Sequence, residues 1–204
     1  MNKELSWWEG AEGKAYAMRN SPTLLDIENR QKSLYAALSE IWHPNSKIFS
    51  VLEVGCGPGA NLAALSDATA VQLYGVEPNP YARHLALEVA PKAKIFDGSA
   101  FNITAEDESF DLVFTAGVLI HINPEQLKLA MREIIRVSRK YVMAIEYFAP
   151  ECEPIKYYGD VRIWRNDFGK IYLDEGLKPV RTGFFWKHNN SGYDNTVFWL
   201  MEKP

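Results

Sequence analysis

Cysteine is scarce in this chain, whose 204 residues contain only Cys56 and Cys152. Two cysteines cannot form the disulfide framework of a small secreted domain. The polar N-terminal residues contain no apolar signal-peptide core, and no apolar run approaches the roughly 18–20 residues that span a membrane. We therefore expect a cytoplasmic protein with no membrane partner.

An excess of positive charge is also missing. The 22 lysines and arginines are outnumbered by 26 aspartates and glutamates, so the formal net charge is −4. Proteins that bind nucleic acid need a basic surface for the phosphates, so we expect no nucleic-acid partner. With 47% hydrophobic and 24% charged residues, the composition is typical of a globular protein. The length predicts one domain over residues 1–204.

Strand and helix patterns alternate through the middle of the chain. The predicted strands cover about 48–54, 71–77, 94–96, 110–115 and 141–147. The predicted helices between them cover about 61–66, 80–89 and 124–137. This alternation predicts an α/β, Rossmann-like parallel sheet with helices on both faces. Aromatic runs at 182–187 and 196–201 predict a C-terminal antiparallel hairpin, which gives seven strands in all.

The first 45 residues are predicted to form a helical cap on a core of residues 46–204. Aromatic side chains interrupt its polar beginning, which favours an ordered segment over a loose tail. Apolar residues over 24–41 recur near a period of 3.6 residues. They predict a helix that opens at Ser21-Pro22 and ends before Pro44.

A glycine-rich turn follows the first predicted strand, where residues 53–61 read Glu-Val-Gly-Cys-Gly-Pro-Gly-Ala-Asn. Glycines let the backbone turn tightly and approach a ligand closely. The helix N-terminus behind them suits a carboxylate or a phosphate. The spacing is Gly-x-Gly-x-Gly rather than the Gly-x-Gly-x-x-Gly of a dinucleotide site. With Glu53 before the first glycine, the turn resembles the first motif of class I S-adenosylmethionine (SAM) methyltransferases.

Open α/β sheets bind ligands at the carboxyl ends of their strands. Glu77 ends the second strand, where a carboxylate can accept both ribose hydroxyls, although this position alone does not separate SAM from NAD. Ser99 stands where many class I methyltransferases carry an Asp that binds the adenine. Arg19 can pair with the SAM carboxylate or stay on the surface. The predicted cofactor-binding residues are Arg19, Glu53, Gly55, Gly57, Gly59, Asn61, Glu77, Pro78, Gly98, Ser99, Ala100, Ala116, Gly117 and Val118.

The whole chain resembles the pseudaminic acid biosynthesis-associated methylases. The resemblance is carried by Trp8-Glu9-Gly10, by 74–79 and 117–124, and most specifically by Glu146-Tyr147 and 159–168. It implies the seven-stranded methyltransferase sheet, with SAM as cofactor and S-adenosylhomocysteine (SAH) as product. It also implies methylation of a small molecule, a sugar or nucleotide-sugar of surface glycans.

The residues that follow the fourth and fifth strands are candidates for catalysis. The methyl of SAM is already activated, so a base is needed only if the acceptor is a hydroxyl or a protonated amine. A histidine pKa near 6.5 would suit His121 to that role. Glu146 would orient His121 or bind an acceptor hydroxyl, and Tyr147 lies beside it. For His121 and Glu146 the alternative is a structural role in the loop.

The predicted substrate-binding residues are Trp8, Tyr16, Tyr158, Arg162, Arg165 and Asp167. Arginine forks bind planar carboxylates and phosphates, so the two arginines suit an acidic or nucleotide-linked sugar. Their alternative is internal pairing with Asp160 and Asp167. We expect no metal ion, and a monomer or a homodimer.

Two other functions stay open at this point. One is an NAD-dependent oxidoreductase, against which the glycine spacing and the C-terminal hairpin count. The other is a SAM-binding module that no longer catalyses, against which the polar residues His121, Glu146, Arg162 and Asp167 count.

Overall fold

The computed structural model describes residues 3–43, 45, 47–67, 71–158 and 161–204. Its strands are β1 (Ser50–Val54), β2 (Gln72–Val76), β3 (Lys94–Phe96), β4 (Phe110–Ala116), β5 (Ser138–Glu146), β6 (Glu153–Tyr158), β7 (Val161–Arg165), β8 (Lys178–Phe185) and β9 (Thr196–Glu202). Its α-helices are α1 (Lys3–Glu9), α2 (Ala11–Arg19), α3 (Leu24–Leu38), α4 (Ala60–Leu65), α5 (Pro80–Val89), α6 (Pro124–Val137) and α7 (Phe168–Asp174). Short 3-10 turns cover Leu119–His121 and Lys187–Asn189.

Seven strands form one sheet in the order β3-β2-β1-β4-β5-β9-β8, and β6 and β7 form a separate hairpin. The first five strands pair in parallel, whereas β9 pairs antiparallel with both β5 and β8. The predicted α/β fold with a seven-stranded sheet is therefore confirmed. The strand order reverses between β1 and β4, and such a switch point opens a crevice for ligands at the carboxyl ends of the strands.

Nearly every residue of the central strands β1 and β4 is buried. Because successive side chains of a strand point to opposite sides, these two strands are covered on both faces of the sheet. Leu52 and Val113 belong to one apolar layer together with Met131 of α6. Leu112 belongs to the other layer together with Leu34 of α3. The sheet is thus packed between two helical layers, and its strands position the loops at the carboxyl edge.

Helix starts follow the expected side-chain chemistry. The predicted bounds of α5 and α6 agree with the structure, and each helix begins with a proline after an asparagine that caps the backbone. The predicted start of α3 at Ser21-Pro22 is two residues early, because Thr23 and Asp26 form a capping box there. From here on, the cap means the helices α1 and α2 only, a shorter segment than the helical cap predicted for residues 1–45.

Two elements between β5 and β8 are absent from the sequence prediction, the β6–β7 hairpin and α7. The hairpin is short and its strands are defined by pairing with each other, while α7 has only seven residues. The division of the chain into a helical segment of residues 1–45 and a core of residues 46–204 stays a prediction. Within the part of the chain that the structure describes, none of the helices has the length and apolar character needed to cross a membrane.

Candidate functional site

A cavity of about 370 Å³, the first cavity, opens at the carboxyl ends of β1 and β2 and beneath the cap. All of the predicted cofactor-binding residues except Gly59 and Gly98 line it. Trp8 and Tyr16 of the cap line it as well, as does Phe101 after β3. Most of these predicted residues lie together in one wall because parallel strands end at the same edge of the sheet.

Gly59 and Gly98 shape the site from outside the first cavity. Gly59 has a φ of +86°, and a Cβ there would lie 3.0 Å from the Cα of Ala86. Its role is the close approach of α4 to α5. A Cβ on Gly98 would lie 2.9 Å from the carbonyl oxygen of Asn102. Their contact with the cofactor stays a prediction.

Glu77 is buried at the end of β2 and lines the first cavity. Its Oε2 accepts a hydrogen bond from the N–H of Gly57 at 3.0 Å, and its Oε1 accepts one from the N–H of Asn79 at 2.9 Å. Burial raises the pKa of this carboxyl, while the two backbone N–H groups oppose the rise. The same carboxylate that fixes the glycine turn therefore keeps further lone pairs for a ligand hydroxyl.

Glu53 is 1% exposed at the end of β1. One carboxyl oxygen accepts a hydrogen bond from Asn61 Nδ2, whereas Oε2 is buried without a partner. Burial raises the pKa of Glu53 to about 8. The oxygen of Asn61 accepts hydrogen bonds from Arg30 at 2.8 Å and from the hydroxyl of Tyr193 at 2.7 Å. A buried carboxyl oxygen without a partner fits a ligand that brings an ammonium group.

A second cavity of about 710 Å³ adjoins the first. Residues common to both walls include Tyr16, Arg19, Arg30, Gly117 and His121. Its outer wall comes from Tyr147 and from the loop between β8 and β9, including Lys187, Asn190 and Asp194. The sequence analysis missed Arg30, Tyr193 and Asp194. The one available signal was the polar composition of the 188–195 loop, which is also typical of an ordinary hairpin connection.

Comparison with known proteins identifies the family. The model of a methyltransferase domain matches residues 51–141. An uncharacterized methyltransferase of Mycobacteroides abscessus is 33% identical over 184 residues, which cover 76% of this chain and 70% of the relative. The chain belongs to the SAM-dependent methyltransferases. SAM is therefore its cofactor, and the alternative of an NAD-dependent oxidoreductase is wrong.

A thiol S-methyltransferase of Homo sapiens is 29% identical to this methyltransferase over 194 residues, with coverage of 87% of this chain and 76% of the relative. Among solved structures, the magnesium protoporphyrin IX methyltransferase of Synechocystis PCC 6803 with bound SAH has the same fold. The TM-score is 0.71 at 16% identity, and the match covers 98% of this chain and 97% of the other. The class I methyltransferase fold implied by the resemblance is thereby confirmed.

His121 lies in the wall that both cavities of the methyltransferase share. Its ring meets Trp8 edge to face at 4.6 Å between centroids and meets Tyr157 at 5.5 Å. Nδ1 is buried without a hydrogen-bond partner, and desolvation lowers the pKa of His121 to about 3. The ordinary pKa near 6.5 assumed from the sequence does not hold here. The imidazole is neutral at physiological pH, but it is a much weaker base than expected.

Glu146 is fully buried at the end of β5. Its carboxylate accepts hydrogen bonds from the backbone N–H groups of Val118, Leu119 and Ile120 at 3.1–3.4 Å. Burial raises its pKa to about 7. The structural alternative is thus the one observed, since Glu146 fixes the turn that carries His121 and is not among the cavity-lining residues. A contact of Glu146 with an acceptor hydroxyl stays a prediction.

The three predicted residues near β5 and β7 have different surroundings. Tyr147 lines the second cavity, and its hydroxyl donates to Asp194 Oδ2 at 2.9 Å. Arg165 is exposed and pairs with Glu153 at 3.3 Å, and Asp167 caps the start of α7 by accepting from the N–H of Lys170. Neither Arg165 nor Asp167 lines either cavity, and their contact with substrate stays a prediction.

The side chains of Tyr158 and Arg162, and the whole of Asp160, lie outside the described residues. The predicted roles of Tyr158 and Arg162 therefore stay predictions. Among the residues that the structure does describe, no group of three or more histidine, cysteine or acidic side chains is arranged to hold a metal ion.

Proposed function

We propose that this methyltransferase transfers the methyl group of SAM to a polar small molecule, a sugar or a nucleotide-linked sugar, held in the second cavity. The observation that carries the proposal is the wall shared by the two cavities, in which Gly117 and His121 line both. A cofactor in the first cavity and an acceptor in the second would meet at this wall. In-line transfer requires such alignment of the two reactants.

The residues of the first cavity fit SAM. The unpartnered Oε2 of Glu53 suits the ammonium group, and Glu77 suits the ribose hydroxyls. Arg19, at the end of the cap, lines the same cavity and suits the carboxylate, while Ser99 and Phe101 would flank the adenine. When bound, SAM supplies a methyl group that its sulfonium has already activated.

The second cavity supports a hydroxyl-rich acceptor. Lys187 and Asn190 bring donors, Asp194 brings acceptors, and the hydroxyl of Tyr147 can do either. Alternating donors and acceptors suit a sugar ring, and the cations Arg30 and Lys187 suit an attached carboxylate or phosphate. A place in surface-glycan synthesis rests on the family resemblance of the sequence. That one relative is named for thiols and another for a porphyrin supports a small-molecule acceptor in general.

Three parts of this chain would then serve the transfer. Trp8 and His121 would exclude water from the shared wall, which prevents loss of the methyl group to solvent. The Tyr147–Asp194 pair would orient an acceptor hydroxyl, and the Tyr147 oxygen would take its proton while passing the phenol proton on to Asp194 Oδ2. Burial raises the pKa of Tyr147, which keeps the phenol neutral before and after this relay. Glu146 would hold the turn that carries His121.

The test is transfer of a radiolabelled methyl group from SAM to UDP-glucuronic acid, UDP-N-acetylglucosamine, glucose and a small aliphatic thiol. We expect label in one of the sugars, and a lower yield in the Lys187→Ala variant for the nucleotide-linked ones. Lys178→Ala is the matched control, because Lys178 is exposed on β8 and lines neither cavity. Label in the thiol alone would overturn the sugar class. SAH binding without transfer to any of the four would favour a SAM-binding module that does not catalyse.

A further inference from the structure

A single asparagine side chain joins the cofactor end of β2 to two helical segments. Asn79 is 2% exposed and begins α5, where its Oδ1 accepts hydrogen bonds from the N–H groups of Tyr81 at 3.0 Å and Ala82 at 3.2 Å. Its own backbone N–H donates to Glu77 Oε1 at 2.9 Å. On this side Asn79 is an ordinary helix cap that also supports the ribose-binding carboxylate.

The other half of the same amide faces the cap. Asn79 Nδ2 donates to the carbonyl oxygen of Trp8 at 2.8 Å and to that of Gly10 at 3.1 Å, with Glu9 further away at 3.4 Å. The carbonyl of Trp8 belongs to the last turn of α1, where no later residue of the helix donates to it. The carbonyl of Gly10, the residue before α2, also accepts from the N–H of Lys14 at 3.2 Å. The side chain therefore satisfies the end of one helix and the beginning of another at the same time.

The packing around Asn79 is close enough to require glycine at position 13. A Cβ on Gly13 would lie 2.9 Å from Asn79 Nδ2 and would overlap the carbonyl group of Trp8. Lys14 Nζ adds a contact with the ring of Tyr81 at 5.1 Å from its centroid. The cap is thus seated on the start of α5 through a specific set of contacts.

The same cap supplies Trp8, Tyr16 and Arg19 to the wall of the first cavity. We propose that Asn79 is a positioning residue, whose side-chain N–H group docks the cap over the first cavity and so sets the affinity for the cofactor. The inference rests on the proposed use of the first cavity as the SAM site. Asn79 is not itself among the residues that line this cavity, so its effect would pass through the cap and Glu77.

The Asn79→Asp variant separates the two halves of the amide. Aspartate still accepts from Tyr81 and Ala82 and is a good helix cap, so α5 keeps its start. The donor toward Trp8 and Gly10 is replaced by a carboxylate oxygen that faces their carbonyl oxygens. Asn123→Asp is the matched control, because Asn123 caps α6 in the same way and, among the described residues, its Nδ2 has no hydrogen-bond partner.

The measurements are the dissociation constant for SAH by calorimetry and amide hydrogen exchange over residues 5–19 and 80–89. For Asn79→Asp we expect SAH binding weakened by about tenfold or more, faster exchange in the cap and unchanged exchange in α5. Gly13→Ala should give the same pattern by a steric route, whereas Asn123→Asp should match the wild type.

Three other outcomes would count against the proposal. An SAH affinity of Asn79→Asp close to that of the wild type would overturn it, even if the cap exchanged faster. Faster exchange in α5 as well as in the cap would show that Asn79 acts only as a helix cap. If the wild type did not bind SAH, the assignment of the first cavity to the cofactor would be refuted. The proposed effect of Asn79 on cofactor affinity would be refuted with it.

Discussion

Trp8 of the cap and His121 of the turn after β4 meet edge to face, with their ring centroids 4.6 Å apart. The contact joins the N-terminal helices to the wall between the two cavities, although the two residues are 113 positions apart in the chain. It also removes water from the imidazole, and desolvation is the cause that lowers the pKa of His121.

Replacing Trp8 by alanine should therefore raise the pKa of His121 toward its ordinary value. In the wild type we expect the His121 ring signals in NMR spectra to stay constant between pH 5 and 8, since the pKa is about 3. In Trp8→Ala the same signals should shift across that range, as is expected of a solvated histidine with a pKa near 6.5. Trp7→Ala is the control, because Trp7 contacts Trp8 rather than His121. Titration of His121 in the wild type would contradict the burial argument.

Glu53 should make the stability of the cofactor-free protein fall as the pH rises. Its folded pKa of about 8 lies above the ordinary value of 4.5, so between these values the folded state holds a proton that the unfolded state has lost. The stabilisation is complete below about pH 4.5 and disappears as the pH passes 8. Glu53→Gln should flatten this decline in melting temperature, whereas the exposed Glu88→Gln should not. Equal slopes in wild type and Glu53→Gln would contradict the prediction.

Gly57 and Gly59 should respond differently to alanine, although both have positive φ angles, of +49° and +86°. A Cβ on Gly57 has no protein atom within 4 Å, so Gly57→Ala should cost about 1–2 kcal/mol of backbone strain and reduce SAH affinity by intruding on the first cavity. A Cβ on Gly59 would press on Ala86, so Gly59→Ala should destabilise more, by about 2–4 kcal/mol. Urea unfolding and SAH calorimetry on the two variants give the comparison. A larger loss of stability in Gly57→Ala would contradict it.

Glu77→Ala should weaken SAH binding by about tenfold or more, because it removes two charge-assisted acceptors from the cavity and releases the N–H of Gly57. His121→Ala should slow methyl transfer and leave SAH affinity within about threefold of the wild type. Glu88→Ala on the exposed face of α5 is the control for loss of a carboxylate. Equal loss of SAH affinity in Glu77→Ala and His121→Ala would refute the separate roles.

Much of the fold was predictable because it follows from local sequence patterns. Pro80 and Pro124 each follow a capping asparagine, and the starts of α5 and α6 follow from that chemistry. The β6–β7 hairpin was not predictable in the same way. Its strands pair only with each other, apart from the main sheet, and their polar and aromatic residues show no clear alternation.

The wall of the first cavity was predictable for a topological reason. Parallel strands bring their carboxyl ends to one edge, so Gly57 and Glu77 had to lie near each other once β1 and β2 were recognised. The wall of the second cavity was harder to predict, because Arg30 and Asp194 come from a helix and a loop 164 positions apart. No local pattern distinguishes them from surface charges.

The sequence by itself determined the α/β class, the glycine turn, the cofactor and the carboxylates that line the first cavity, because each depends on short-range pattern or on the direction of a strand. Only the tertiary structure decided what Glu146, Asp167 and Asn79 do with their side chains. A carboxylate or an amide has the same chemistry in a cavity, at a helix cap or beneath a turn, and its role is set by the backbone groups that folding brings to it.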